Sequence, residues 1–312
     1  MTQKNLAFVF PGQGSQKIGM LADLAAEYPI VNKTFSEASK VLGYDLWELV
    51  QNGAQEEINL TERTQPLLLT ASVAVWRVWQ EKNGVSPAFM AGHSLGEWSA
   101  LVCAEVVSLS DAVKLVHQRG KFMQEAVPAG QGAMAAIIGL DDTLIIEACK
   151  KAEEGEIVSA VNFNSPGQVV IAGTAAAVER ASVLCKEAGA KRALPLPVSA
   201  PFHTELMRPA ADRLAEQIFA TNFNAPQVPI VHNVTARTES NPEKIKALMI
   251  EQIYSPVRWV ECINAMSQNG TTIVIECGPG KVLSGLSKRI NSDLTSLAIE
   301  KPEEITTVLA SF

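Results

Sequence analysis

The sequence predicts an α/β protein, and three observations predict it. Apolar strand-like runs alternate with helical patterns over most of the chain. A β-α-β-β-α-β rhythm fills its middle, bounded by Pro128-Ala129-Gly130 and Pro195-Leu196-Pro197. A corner of the form Gly92-x-Ser94-x-Gly96 joins an apolar run to a helix-forming segment. In order, the first strand is Leu6 to Phe10, followed by the loop Pro11-Gly12-Gln13-Gly14-Ser15-Gln16. Helical patterns follow near 18–26, 31–41 and 66–82; a strand at 87–91 leads to the serine corner and to helices at 95–104 and 110–127. The middle reads as strand 133–138, helix 141–152, strand 157–163, a turn at Asn164-Ser165-Pro166-Gly167, strand 168–172, helix 175–188 and strand 191–196. We expect residues 128–197 to be a ferredoxin-like insert, and residues 1–127 with 198–312 to form one discontinuous larger domain. Beyond the insert come a helix from Thr204, a strand near 228–233, a helix from Pro242, and a final strand, Thr272 to Glu276, with a closing helix after Gly278-Pro279-Gly280.

At 312 residues, 47% hydrophobic and 19% charged, the chain has the composition of a soluble protein with an ample core. A formal charge of −7 argues against broad nucleic-acid binding, though not against a local basic patch. The five cysteines are scattered, odd in number and without metal-like spacing, which points to reduced thiols in a cytoplasmic protein and to no metal site. The Leu6 to Phe10 run is too short for a signal peptide, and no later segment reaches membrane length.

Glycines on both sides of Ser94 let the backbone turn sharply and push the hydroxyl outward, beside the free N–H groups of the next helix. The same pattern also suits a tight turn with a bystander serine, so a base and a substrate anchor must be found elsewhere. Only four histidines are available. His93 adjoins the serine and reads as support for the corner; His117 falls on the polar side of its helix and reads as solvated; His232 ends an apolar strand and reads as a satisfied core residue. His203, in "VSAPFHTELM", sits after a proline-bounded strand and at a helix start, where the positive helix end favours neutral imidazole. Paired with the serine it is the leading base, although a helix-start histidine on its own is more often structural. Placed at about 100° per residue, 112–127 forms an apolar stripe with Arg119 near its centre. A guanidinium there is costly unless something anionic meets it: the readings are a structural ion pair, a snorkelling stem, or the carboxylate of a substrate held in a bidentate seat. The first loop fails the dinucleotide pattern, because Lys17 stands where a third glycine belongs, and "GPGKVLSG" is not a Walker loop. Gln13 and Leu95 are instead candidate backbone donors to an oxyanion. No acid declares itself as the third member of a triad.

Taken together, "FVFPGQGSQ", "TQPLLL", "AGHSLGEWSALV", Arg119 with its helix, "NSPGQVVIAG", "SAPFHTELM", "YSPVRWVE" and "IECGPGKVLSGL" resemble the malonyl-CoA:acyl carrier protein transacylases over essentially the whole chain. The resemblance implies an α/β-hydrolase-like large domain with a mainly parallel sheet. It implies Ser94 as nucleophile, His203 as base, Arg119 as carboxylate seat, the N–H groups of Gln13 and Leu95 as oxyanion hole, and the main-chain carbonyl of Gln252 as orienter of the histidine. Asn162 and Phe202 match pocket-lining positions; Trp98 and Glu105 depart from the common residues at theirs. It further implies a coenzyme A thioester as substrate with no permanently bound cofactor, acyl carrier protein with its phosphopantetheine as partner, and a monomer serving fatty-acid synthesis. An esterase or thioesterase, an acyltransferase of polyketide synthesis, and a non-catalytic nucleotide-binding scaffold are the rival readings.

Overall fold

The computed structural model describes residues 2–312. Its first strand, β1 (Thr2–Phe10), shows why the sheet forms. Leu6, Phe8 and Phe10 feed one buried cluster and Ala7 and Val9 another, so the strand is apolar on both faces, as a central parallel strand must be. The helices α1 (Ala22–Glu27), α2 (Pro29–Leu42), α3 (Leu46–Asn52), α4 (Gln55–Ile58) and α5 (Thr61–Glu81) lie between β1 and β2 (Ser86–Gly92). The sequence reading missed α3 and α4, which are two turns or less and too short for an amphipathic period to register.

Helix α5 also begins five residues before the expected Pro66. Proline has no N–H for the carbonyl four residues back, that of Glu62. The structure fills that vacancy with His117, whose Nδ1 lies 3.1 Å from the Glu62 oxygen. His117 is therefore half-buried and hydrogen-bonded, not simply solvated as expected. Two helices follow the serine corner, α6 (Leu95–Cys103) and α7 (Leu109–Glu125).

The middle of the chain forms β3 (Gly132–Ile138), α8 (Asp142–Ala152), β4 (Val158–Ser165), β5 (Gln168–Thr174), α9 (Ala175–Glu187) and β6 (Arg192–Pro195). These strands make a four-stranded antiparallel sheet in the order β4-β5-β3-β6, with its own core from Ile137, Ile145, Ile171 and Ala181. Asp141 and Thr174 cap its two helices by accepting from backbone N–H groups.

The last third contains α10 (Arg208–Ala220), β7 (Ile230–Val231), α11 (Pro242–Glu251), α12 (Trp259–Gln268), β8 (Ile273–Cys277), α13 (Val282–Ile290), β9 (Thr295–Ile299) and α14 (Pro302–Leu309). The expectation that β8 and α13 close the chain is corrected by β9 and α14; α12 was also missed. Strands β7-β2-β1-β8-β9 form one parallel sheet. Parallel strands send all their carboxyl ends to one edge, where open α/β sheets place their chemistry. The residues following β1, β2, β7 and β8 therefore converge there.

Candidate active site

Ser94 follows β2 and adopts φ 52°, ψ −111°, a conformation that costs a non-glycine residue on the order of 1–3 kcal/mol. Neighbouring atoms hold it there. A Cβ on Gly92 would sit 1.9 Å from the Gly96 carbonyl, and one on Gly96 would sit 2.1 Å from the Phe10 oxygen. The flanking glycines are thus required by close approach. The Ser94 N–H donates to Asn233 Oδ1 at 2.9 Å, and its carbonyl accepts from Gln252 Nε2 at 2.9 Å. No acceptor among the described residues takes the N–H of Leu95 or of Gln13, while Gly12 packs directly under the His93 carbonyl.

His203 Nε2 lies 2.8 Å from Ser94 Oγ. Its Nδ1 lies 2.9 Å from the Gln252 main-chain oxygen. A carbonyl only accepts, so Nδ1 carries the hydrogen and Nε2 presents a lone pair to the serine hydroxyl. Burial first, and the Arg119 cation second, pull the imidazole pKa down to about 3. The expected cause was a helix N-terminus, and this is corrected. His203 occupies a left-handed turn (φ 63°), and a short 3-10 turn at Glu205–Met207 separates it from α10. Burial and a neighbouring cation keep the ring neutral instead.

Arg119, on α7, is 1% exposed. Its Nη1 donates to Gln65 Oε1 at 2.8 Å, its Nη2 to Gln252 Oε1 at 2.9 Å, and Nη2 also lies 3.4 Å from Ser94 Oγ. Nε has no partner, and no carboxylate of the described residues forms an ion pair with it. Burial lowers its pKa to about 10, with Glu97 opposing the shift, so it remains a cation near neutral pH. The structural ion pair that the sequence left open is absent. A positively charged fork, buried and held by two amide oxygens, stands beside a hydroxyl that already faces a neutral base. Such a site can activate an oxygen nucleophile and seat a carboxylate a few ångströms from it.

The sequence did not reveal the ring behind these groups. Gln65 was quoted only within a motif, and Gln252 was valued for its carbonyl alone, not for its side chain. Glu97 lies three residues after Ser94 on an otherwise apolar helix, and its carboxylate is 1% exposed. It accepts from His232 Nδ1 at 2.6 Å, from the Asn233 N–H at 3.2 Å and from Gln252 Nε2 at 2.8 Å. A lone acid early in a helix flanked by Leu95 and Trp98 was the one signal available. His93 does brace the corner, as expected, with its Nε2 2.7 Å from Asn164 Oδ1 on β4. Asn162, two residues earlier, makes no hydrogen bond to this cluster, and its Oδ1 is buried without a partner. Phe202 is 8% exposed and directly precedes His203. Among the described residues, no group of three or more His, Cys, Asp or Glu side chains could hold a metal ion, and no helix is long and apolar enough to cross a membrane.

An acyl transferase domain model matches residues 7–297. The chain is 60% identical over 309 residues, 99% of each chain, to the malonyl CoA-acyl carrier protein transacylase of Escherichia coli strain K12. A crystal structure of an acyl carrier protein S-malonyltransferase from Vibrio cholerae superposes with a TM-score of 0.96 at 61% identity, covering 97% of this chain and 99% of that one. A malonyl-transacylase solved in complex with a type II polyketide acyl-carrier protein gives a TM-score of 0.98 at 56% identity, covering 99% and 100%. With the family match spanning that length, over a serine that meets a neutral histidine and an arginine without an acid, the chain belongs to the acyl transferase domain family.

Proposed function

We propose that this enzyme transfers the malonyl group of malonyl-CoA to the phosphopantetheine thiol of acyl carrier protein, supplying fatty-acid synthesis. One observation carries the reading: Ser94 Oγ lies 2.8 Å from His203 Nε2 and 3.4 Å from an Arg119 guanidinium that forms no ion pair with an acid of the described residues. His203 Nε2 takes the Ser94 proton as Oγ attacks the thioester carbon. The N–H groups of Gln13 and Leu95 hold the resulting oxyanion. The C–S bond then breaks, and His203 returns the proton to the departing coenzyme A sulfur, leaving a malonyl ester on Ser94. The carrier's thiol, deprotonated by the same histidine, attacks that ester and restores the serine hydroxyl. Arg119 holds the free carboxylate throughout, Gln252 O orients His203, and Asn162 and Phe202 line the acyl pocket. No bound cofactor is needed, since the thioester supplies the driving force.

The strand order of the antiparallel unit supports a ferredoxin-like insert at residues 128–197, carried by an α/β-hydrolase-like domain of 1–127 and 198–312. For the carrier, which is acidic, we favour one basic face that joins Lys191 and Arg192 to Lys288 and Arg289, rather than two separate clusters of Lys191 with Arg192 or Lys281 with Lys288 and Arg289. Arg289 bonds Gln168 at 2.7 Å, Gln168 pairs with Ile138 across the sheet, and Ile138 pairs with Arg192. Lys281 is tied to Glu304 at 2.6 Å and contributes less. We expect a cytoplasmic monomer.

Intact-mass measurement with malonyl-CoA and no acceptor tests the reading. A malonyl adduct should form on the parent and be absent from Ser94→Ala; an adduct on Ser94→Ala would overturn the nucleophile. Faster release of free malonate than transfer to a carrier would favour the thioesterase instead.

A further inference from the structure

Gln252 is the junction of the site. Its backbone oxygen holds the base, while its side chain touches Arg119, the Ser94 carbonyl and Glu97. Which end of that amide faces which neighbour is fixed by chemistry. The Ser94 carbonyl and the Glu97 carboxylate only accept, so the NH2 group must face them. The oxygen must then face Arg119, which only donates. Reversing the amide would oppose NH2 to guanidinium and turn its oxygen toward the Ser94 carbonyl and the Glu97 carboxylate, setting acceptor against acceptor. Asn233 is set in the same way, donating to Gly92 O at 2.7 Å and accepting the Ser94 N–H.

Both residues are held by one carboxylate, Gln252 by its side-chain amide and Asn233 by its backbone N–H. Glu97 accepts from Gln252 Nε2 and from the Asn233 backbone, and is itself held by His232 from the end of β7. We infer that Glu97 is a positioning residue for dicarboxylic acyl groups: through Gln252 it fixes the Arg119 fork beside Ser94, and with Asn233 it supports the strained serine. This inference rests on the reading of Arg119 as the carboxylate seat. Glu97 never meets the substrate. It sits one amide away from the cation, near enough to fix it and too indirect to neutralise it.

A residue that merely braced the corner would affect every acyl group alike, because Ser94 attacks them all. A residue that aims Arg119 affects malonyl more than acetyl. The test is therefore the ratio of malonyl to acetyl loading rates onto the full-length enzyme, read by quenched intact mass. Glu97→Gln should lower this ratio by about tenfold or more, because its own amide can no longer compel the orientation of Gln252. Gln252→Met, which keeps the backbone oxygen for His203, should lower the ratio similarly. Adding Glu97→Gln to Gln252→Met should change it by less than about twofold, since the path is already cut. Arg119→Ala serves as the reference. A ratio lowered by Arg119→Ala and not by Glu97→Gln overturns this inference and leaves the anchor standing. A ratio unmoved by Arg119→Ala overturns the anchor and this inference with it. Additive losses in the double variant overturn the route through Gln252. If Glu97→Gln does not fold, Gln252→Met alone decides: a preserved ratio refutes the relay.

Discussion

Replacing Arg119 with methionine should leave the fold almost as stable as before while removing malonyl loading, a separation that an ordinary core substitution does not produce. The buried guanidinium is unfavourable in the free protein. Burial pulls its pKa from the usual value to about 10, which corresponds to about 3 kcal/mol at 1.36 kcal/mol per pH unit. Methionine removes that penalty and fills much of the same space. Against this, the oxygens of Gln65 and Gln252 lose their donor, at about 1–3 kcal/mol each. The two effects nearly cancel, so the Tm should stay within about 3 °C of the parent. The loss on the substrate side has no such offset. Two charge-assisted hydrogen bonds to a carboxylate, at about 1.5–3 kcal/mol each, predict malonyl loading slower by about 10²- to 10⁴-fold. Acetyl loading should change far less. Thermal unfolding and quenched intact-mass kinetics measure the two halves. A Tm drop above about 8 °C would show that the cation holds the fold together, and equal losses for malonyl and acetyl would refute its role as a seat.

Three further outcomes follow from the same geometry. With a folded-state pKa of about 3 against 6.5 in the unfolded chain, His203 keeps its stabilising effect above pH 6.5; stability should fall as pH drops from 6.5 toward 3, and malonyl loading should show no inflection near 6.5; an inflection there in the pH–rate profile would contradict a buried neutral base. Gly92→Ala, whose Cβ would meet the Gly96 carbonyl at 1.9 Å, should abolish the malonyl adduct, whereas Gly285→Ala on α13, with nothing within 4 Å, should raise stability by about 0.5–1 kcal/mol; denaturant titration and intact mass separate the two. Glu276 is buried with one oxygen unpartnered and a pKa raised to about 7, so its folded state resists ionisation and stability should decline as pH rises from 4.5 through 7; Glu276→Gln should accordingly raise the Tm at pH 8 and not at pH 4.

The parts of this protein that were legible in its sequence carry local signals. Ser94 was visible because two glycines flank it where a Cβ would come within about 2 Å of neighbouring backbone, and Arg119 because a cation breaks an apolar helical stripe. The short elements α3 and α4 carry too few residues for periodicity to distinguish them from loop. Gln65, Asn233 and the side chain of Gln252 were illegible for a different reason. An amide has no preferred periodicity or partner, and its value here comes from contacts as far apart as Gln252 and Ser94, 158 positions away in the chain.

The same contacts explain why the histidine has no triad acid among the described residues. An aspartate on His203 would add a carboxylate beside the Arg119 cation, which on the proposed reading stays available to the substrate's own carboxylate. A main-chain carbonyl orients the imidazole equally well without bringing that charge. Amide oxygens likewise fix the guanidinium as dipoles and leave its positive charge intact. The nearest acid, Glu97, is placed behind Gln252, where it orients without pairing. A serine site built to hold a dicarboxylic acyl group therefore has a physical reason to omit the third member of the usual triad.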